Sequence, residues 1–391
     1  MRYRSDRYGN QISQLGFGCM RFSKKGNSID YDAAEKQILL AIEKGINYFD
    51  TAYIYPGSEE CLGKVLEKNN CRDKVNIATK LPQYIMKSSA GIDKTFAEEL
   101  SRLRTDHIDY YLMHMFTDIA EWENLKKLGI EEKIAQWKAA GKIRNIGFSF
   151  HGNTDMFVKI LNAYDWDFCQ IQYNYQDENT QAGRKGLMAA AEKKIPVMIM
   201  EPLRGGKLVN LPEKAKKVLA SDGSGYSPAE IGLRWLWNQP EVTCVLSGMN
   251  SEEMITENTR IASEAEAGRF SEADFAAVEK IKAILREKEK VGCTGCRYCQ
   301  PCPKGVDIPG NFYYYNLMYM EKKTASRMEF ARVMGLRKEA GFASQCIGCG
   351  KCEQHCPQHL NIREKLKEAD KALRPLPYRV GIDIARKIMI R

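Results

Sequence analysis

Eight cysteines between Cys293 and Pro357 stand in a spacing that can hold iron and sulfide. The first run is Cys293, Cys296, Cys299 and Cys302, followed by Pro303; the second is Cys346, Cys349, Cys352 and Cys356, followed by Pro357. The second run reads C-x2-C-x2-C-x3-C-P, a spacing that wraps one tight loop around a [4Fe–4S] cubane. The fourth cysteine of such a run ligates the other cluster when there are two. This places Cys293, Cys296, Cys299 and Cys356 on one cluster, and Cys346, Cys349, Cys352 and Cys302 on a second. The first run departs from the pattern, with two residues before Cys302 in place of three. Disulfides and zinc are the alternatives. Disulfides call for an oxidising compartment, and zinc sites pair their ligands in twos, whereas here triplets plus Cys-Pro occur twice.

A second set of chemistry-bearing residues lies in the first third of the chain, each at the end of an apolar segment: Asp50 and Tyr55, Lys80, and His114. A carbonyl that accepts hydride needs a proton at its oxygen. A phenol with a pKa of about 10 is a poor acid–base group at neutral pH, and a neighbouring ammonium lowers that value. Lys80 is expected to supply the charge, Asp50 to hold Lys80, and His114 to orient the carbonyl oxygen. Each residue alone has a duller reading, as surface aromatic, loop charge or capped histidine.

The elements that would position these residues alternate regularly. Strands are predicted at 14–22, 47–53, 75–80, 107–114, 144–150, 168–173, 197–202 and 242–248. Helices are predicted at 32–44, 59–67, 93–104, 133–140, 155–163, 184–193, 227–237 and 251–264. Eight βα units imply a parallel sheet and suit a (β/α)8 TIM barrel, whose chemistry sits at the C-terminal strand ends. A doubly wound sheet would want G-x-G-x-x-G after the first strand, but Gly16-Phe17-Gly18 continues as Cys19-Met20-Arg21. A charged helix is expected over 279–291, then the cysteine region. The aromatic segment 307–337, with Phe312, Tyr313, Tyr314, Tyr315 and Tyr319, reads as helical packing around it. The tail after Pro377 reads as a basic amphipathic helix that docks. Domains of 1–285 and 286–391 follow.

The motifs Asp50-Thr51-Ala52-Tyr53-Ile54-Tyr55, Ala78-Thr79-Lys80 and Tyr111-Leu112-Met113-His114 resemble the aldo/keto reductase family, over about residues 10–262. The resemblance implies a (β/α)8 barrel that reduces carbonyls with NAD(P)H, with Asp50, Tyr55, Lys80 and His114 as its catalytic tetrad. It also implies that Ser149 and Gln170 hold the nicotinamide carboxamide. Gly18, Met20, Arg21, Leu203 and Gly248 would line the cofactor cleft, Gly205 and Gly206 approach the pyrophosphate, and Glu257 and Asn258 meet the adenine end. Phe150 replaces the family's asparagine, Met200 falls near its stacking tyrosine, and Gly248 and Met254 fall near the cations that clamp a 2′-phosphate. Either NAD or NADP is therefore compatible. The whole chain resembles the bacterial subgroup in which such a barrel is fused to a mainly α-helical, two-cluster ferredoxin-like domain, carried by Cys293-Thr294-Gly295-Cys296, Gly305-Val306-Asp307-Ile308-Pro309 and the second cysteine run.

Hydride moves two electrons and a cubane one, so a flavin, FMN, is a further candidate for the barrel. An oxidoreductase acting on a carbonyl or activated double bond is the first reading. An electron-transfer module with the barrel as scaffold is the second, and clusters serving only as structural staples the third. The chain has 391 residues with 59 Lys and Arg against 50 Asp and Glu, a net +9. No basic block suits nucleic acid, no run is long and apolar enough to span a membrane, and no hydrophobic signal region precedes residue 20. A cytoplasmic protein with a small-molecule substrate and a redox partner protein is expected. His151, after the fifth strand, is read as a polar loop residue with a place facing the cleft as the alternative, Arg21 as a binder of a substrate carboxylate or a cofactor phosphate, His355 as a cluster neighbour or an exposed side chain, and the remaining cysteines as structural.

Overall fold

The computed structural model describes every residue except Asn27, Asp222, Thr294, Cys296, Pro357, Ile390 and Arg391, together with all but the side chain of Met389. Cys296, expected as a cluster ligand, therefore lies outside the described residues. Among the described residues eight parallel strands close into a ring: β1 (Leu15–Gly18), β2 (Tyr48–Asp50), β3 (Asn76–Leu81), β4 (Ile108–Phe116), β5 (Ile143–Phe150), β6 (Phe168–Gln172), β7 (Val197–Met200) and β8 (Val242–Ser247). Neighbours pair in chain order, and β8 returns to β1 through Val245 and Leu15. The strands are buried on both faces, so they appear in the sequence as short continuous apolar runs. Their inner faces fill the barrel with Tyr48, Tyr110, Leu112, Phe168, Met198 and Leu246. Their outer faces pack on the surrounding helices in the larger core.

Local chemistry sets the ends of those helices. Asp118 accepts from Ala120 N at 2.9 Å and Glu121 reaches back to Asp118 N, a capping box that starts helix Ile119–Lys127. Ser271 and Asp274 do the same for helix Glu272–Arg286. These caps satisfy N–H groups that have no partner inside the helix. The charged helix thus runs 272–286 rather than the expected 279–291, because its start is fixed at Ser271. The expected helix 133–140 is the second of a pair, Ile119–Lys127 and Ile130–Ala139, separated by Gly129 with φ of +79°. Helix Glu213–Ser221 and an N-terminal hairpin, Tyr3–Ser5 with Gln11–Ser13, were not predicted. The hairpin closes the barrel floor: Tyr110 donates to Asp6 at 2.6 Å, and Arg4 donates to the carbonyls of Trp237 and Gln239 at 2.5 and 2.7 Å.

The remaining chain forms a helical unit with its own core of Phe312, Tyr314, Leu317, Phe330, Met334 and Leu366. Helices Ile308–Met320, Lys323–Phe330, Ile362–Leu373 and Leu376–Met389 build it, and a single π turn, Ala331–Gly335, extends the second. The aromatic segment is packing, as the sequence suggests. The unit docks on the loops after β5 to β7. Arg204 bonds Asp177 at 3.0 Å and Glu321 at 3.3 Å, and Lys207 also pairs with Glu321. Arg297 pairs with Asp155 at 2.7 Å. Arg337 donates to the carbonyl of His151 at 3.4 Å. Among the described residues, no helix is long and apolar enough to cross a membrane.

Candidate active site and cysteine-lined cavities

The four predicted catalytic residues meet at the C-terminal mouth of the barrel. Lys80, 1 % exposed, donates to both oxygens of Asp50 at 2.7 Å and to the carbonyl of Thr51 at 2.6 Å. Asp50 pairs with Ala78, so Lys80 lies two residues farther along β3 on the same face and its long side chain reaches back to the carboxylate. Burial is the larger influence on Asp50 and raises its pKa, while Lys80 and then a hydrogen bond from Gln170 oppose it. Tyr55 sits in the turn between β2 and helix Ser58–Lys68, fixed by Tyr55 N donating to Ala52 O at 2.9 Å. The Lys80 ammonium lies 5.4 Å from the centre of the Tyr55 ring. The His114 ring lies edge-on to Tyr55, with centroids 6.1 Å apart and planes at 84°.

His114 is placed by a break in the β4 ladder. Pairing with β5 shifts between Met113 and Phe116, and Met115 takes φ of +58°. That conformation favours glycine, and side chains held there are characteristic of functional sites. Burial, then the Lys80 charge, holds His114 well below the usual imidazole range, so the ring is neutral. Its Nδ1 is buried without a partner.

One electrostatic expectation needs correcting. Lys80 was expected to lower the Tyr55 pKa. Burial, and then the Asp50 carboxylate, instead push the phenol above its ordinary value of 10, and the cation that pulls it back is Arg332. The Lys80 charge is spent on Asp50, to which it is bonded twice. Tyr55 is therefore protonated at neutral pH.

Three residues not anticipated, Tyr84, Glu201 and Arg332, reach this mouth, and His151 takes the cleft-facing place that was the alternative for it. Tyr84 follows β3 and faces His114 at 6.4 Å. Glu201 follows β7 with φ of +55° and is exposed at its rim; partial desolvation of its carboxylate, then Glu329, push its pKa up. His151, read as a loop residue, is buried; burial, then Arg332, pull it down to about 3. Arg332 comes from the helical unit, over 200 residues from His114 in the chain, and its Nη1 meets Met115 Sδ at 3.4 Å. The conformation at Glu201 has no sequence signature, and the approach of Arg332 depends wholly on docking.

The residues assigned to a nicotinamide cofactor divide into two groups. Ser149 and Gln170 are buried on adjacent strands and paired in register. Ser149 Oγ accepts from Met115 N at 2.7 Å, and Gln170 Oε1 is a buried acceptor without a partner. A carboxamide N–H would satisfy that orphan oxygen. At the rim, Arg21 donates to Gly205 O at 3.0 Å, and a Cβ on Gly248 would stand 3.2 Å from Arg21 Cδ. Arg21, Gly205 and Gly248 thus converge. Gly206, with φ of +91°, borders open space. Gly18 lies against the backbone of Ser247 and Gly248, while Met20 is 64 % exposed. Leu203 packs over Gly232. Asn258 donates to Ser247 at 3.2 Å and Glu257 accepts from Ser227 at 3.0 Å.

The cysteines border two cavities. One, of about 160 Å³, is lined by Cys299, Cys302, Cys346, Cys349 and Cys352, with His355 at its edge. Thiols around an otherwise largely apolar hollow are the donor set and setting that a cubane needs. Cys299 and Cys302 of the first run share this wall with the second triplet, so the lining does not separate one ligand set from the other. The other cavity, of about 300 Å³, lies between the two units, with Cys293 and Gly295 on one side and Gly152, Asp177 and Arg204 on the other.

Residues 14–283 match the model of the Aldo/keto reductase family, and residues 292–360 that of the 4Fe-4S dicluster domain. The chain is 26% identical to the oxidoreductase YqkF of Bacillus subtilis, covering 68% of this chain and 92% of the relative. It is also 26% identical to L-galactose dehydrogenase of Arabidopsis thaliana, covering 70% and 91%. Among solved structures, an aldo-keto reductase from Bacillus halodurans in holo form superposes with a TM-score of 0.59, at 24% identity over 72% of this chain and 96% of that one. One from Klebsiella pneumoniae in complex with NADPH gives 0.60 at 21% identity, with the same coverage. These likenesses show the shared barrel, and the matched span shows descent: the chain belongs to the aldo/keto reductase family, an oxidoreductase barrel followed by a 4Fe-4S dicluster domain.

Proposed function

We propose that this protein reduces a small carbonyl compound at the barrel mouth, with Tyr55 delivering the proton. The observation that carries this reading is the buried Lys80–Asp50 pair beside Tyr55 and His114. Tyr55 holds its proton at neutral pH, and Arg332 is the cation that offsets the burial and the Asp50 charge that weaken it as an acid. Neutral His114 can hydrogen-bond the carbonyl oxygen and fix its orientation against the phenol. Lys80 holds Asp50, and Asp50 holds Gln170, so the floor beneath the reacting carbon stays rigid. Gln170 Oε1 and Ser149 would hold the carboxamide of NAD(P)H, Arg21 and the glycines Gly205 and Gly206 would face its phosphates, and Glu257 and Asn258 its adenine end. When bound, the nicotinamide supplies hydride and the cubanes supply single electrons. We assign Cys302, Cys346, Cys349 and Cys352 to one cluster and Cys293, Cys296, Cys299 and Cys356 to the other, with the domain boundary at residues 285 and 286. The comparisons lend no support to FMN. A protein partner that exchanges electrons with one of the clusters completes the reading.

Tyr55→Phe removes the proton and keeps the ring. Turnover is expected to fall by about 10²- to 10⁴-fold, with iron content unchanged. Undiminished reduction of every accepted carbonyl by the variant would refute the assignment.

A further inference from the structure

The helical unit places a guanidinium in the reaction cleft. Arg332 lies on the π turn Ala331–Gly335, a geometry that recurs at functional sites. Its one bonded neighbour among the described residues is the thioether of Met115, at 3.4 Å, the residue after His114. A thioether is a weak acceptor for a charged donor. Nearby arginines are already matched: Arg204 with Asp177, Arg297 with Asp155, and Arg337 with Asp307 at 3.3 Å. The Arg332 charge acts on Tyr55, Tyr84, His114 and His151 together, so it overlooks the tetrad. Glu201 and Glu329 share its field, yet neither closes an ion pair with it, and the two repel each other.

The geometry points to Arg332 as the anchor for a carboxylate on the substrate, so the carbonyl compounds this barrel takes are oxo acids. The inference rests on the reductase reading above and narrows it. A guanidinium presents a planar fork that matches a carboxylate. The guanidinium is exposed and closes no ion pair among the described residues, so its fork is open to a carboxylate. The anchor belongs to the cluster unit, so only the docked two-unit protein has a complete substrate site.

The test uses the full-length, cluster-loaded protein and a panel of short oxo acids, each paired with its neutral methyl ester. Wild-type protein is expected to prefer acid over ester in kcat/KM. Arg332→Met is expected to lower that ratio by about 10- to 100-fold, the size of a lost charge-assisted contact, chiefly through KM. Arg332→Lys should restore part of it. An acid-to-ester ratio that stays the same in Arg332→Met overturns the inference, whether both substrates slow together or neither changes. A parallel binding titration with oxamate, a non-reacting carboxylate, separates the two proposals. Arg332-dependent oxamate binding without turnover of any carbonyl upholds the anchor and sinks the reductase reading. Carbonyl turnover with oxamate binding indifferent to Arg332 does the reverse.

Discussion

Replacing Lys80 by methionine tests the barrel's electrostatic core most directly. The change keeps most of the side-chain volume and removes the ammonium, which makes three hydrogen bonds at 2.6–2.7 Å. Asp50, 5 % exposed, is then left as a buried carboxylate without its cation. Breaking a buried pair in this way costs about 3–5 kcal/mol, most of it the penalty on the charge left behind. With a urea dependence of roughly 3 kcal/mol per molar, the unfolding midpoint should drop by about 1–2 M. All five tryptophans, at 122, 137, 166, 235 and 237, lie in the barrel, so their fluorescence follows it and not the cluster unit. Two further outcomes distinguish this cause from general damage. Adding Asp50→Asn should recover a large part of the loss, because no bare charge remains. The deficit should also shrink as pH falls from 8 towards 5. Burial already raises the Asp50 pKa in the intact pair, and without Lys80 it rises further. The folded variant then binds a proton that the unfolded chain does not, and stability grows as pH falls. A loss under 1 kcal/mol, or a double variant no better than Lys80→Met, would refute the reasoning.

Two other outcomes follow from the geometry. Crossed cluster ligation predicts that Cys302→Ala with Cys349→Ala leaves about four irons per chain, whereas Cys302→Ala with Cys356→Ala leaves almost none; anaerobic iron analysis decides, and equal iron in both would break the pairing. Gly63→Ala should lower the barrel's melting temperature by several degrees, because the new Cβ would stand 2.5 Å from Arg102 O and Leu103 C where helix Ser58–Lys68 crosses helix Ser89–Leu103. Overpacking of this kind costs about 1–3 kcal/mol, and an unchanged melt would show that the helices can separate freely.

The barrel was legible because its strands are buried on both faces and stand out as apolar runs between amphipathic helices. Tyr55, Lys80 and His114 were legible because strand ends are where barrels keep their polar groups. The floor hairpin was not, since Tyr3–Ser5 and Gln11–Ser13 are three residues each and mostly polar. Helix Glu213–Ser221 buries only Ala215 and Leu219, too thin a stripe to stand out. Arg332 escaped for a different reason. Nothing in Ala331-Arg332-Val333-Met334-Gly335 marks a binding residue; its importance arises when docking carries it to Met115. The same distance effect hid the source of the charge on Tyr55. The sequence anticipates the Asp50–Lys80 pair, but not that burial and Asp50 decide the phenol's pKa, nor that another unit supplies the cation that opposes them.

The ring is shut by β1 and β8, whose partners Leu15 and Val245 lie at opposite ends of the barrel sequence. A growing chain cannot seal it until about residue 247 has left the ribosome. At roughly 5–20 residues per second, the first strand waits some tens of seconds beside a curved sheet with two bare edges. Such edges invite pairing with other chains. Both cysteine runs follow residue 247, so every residue of the ring has left the ribosome before any cluster cysteine does.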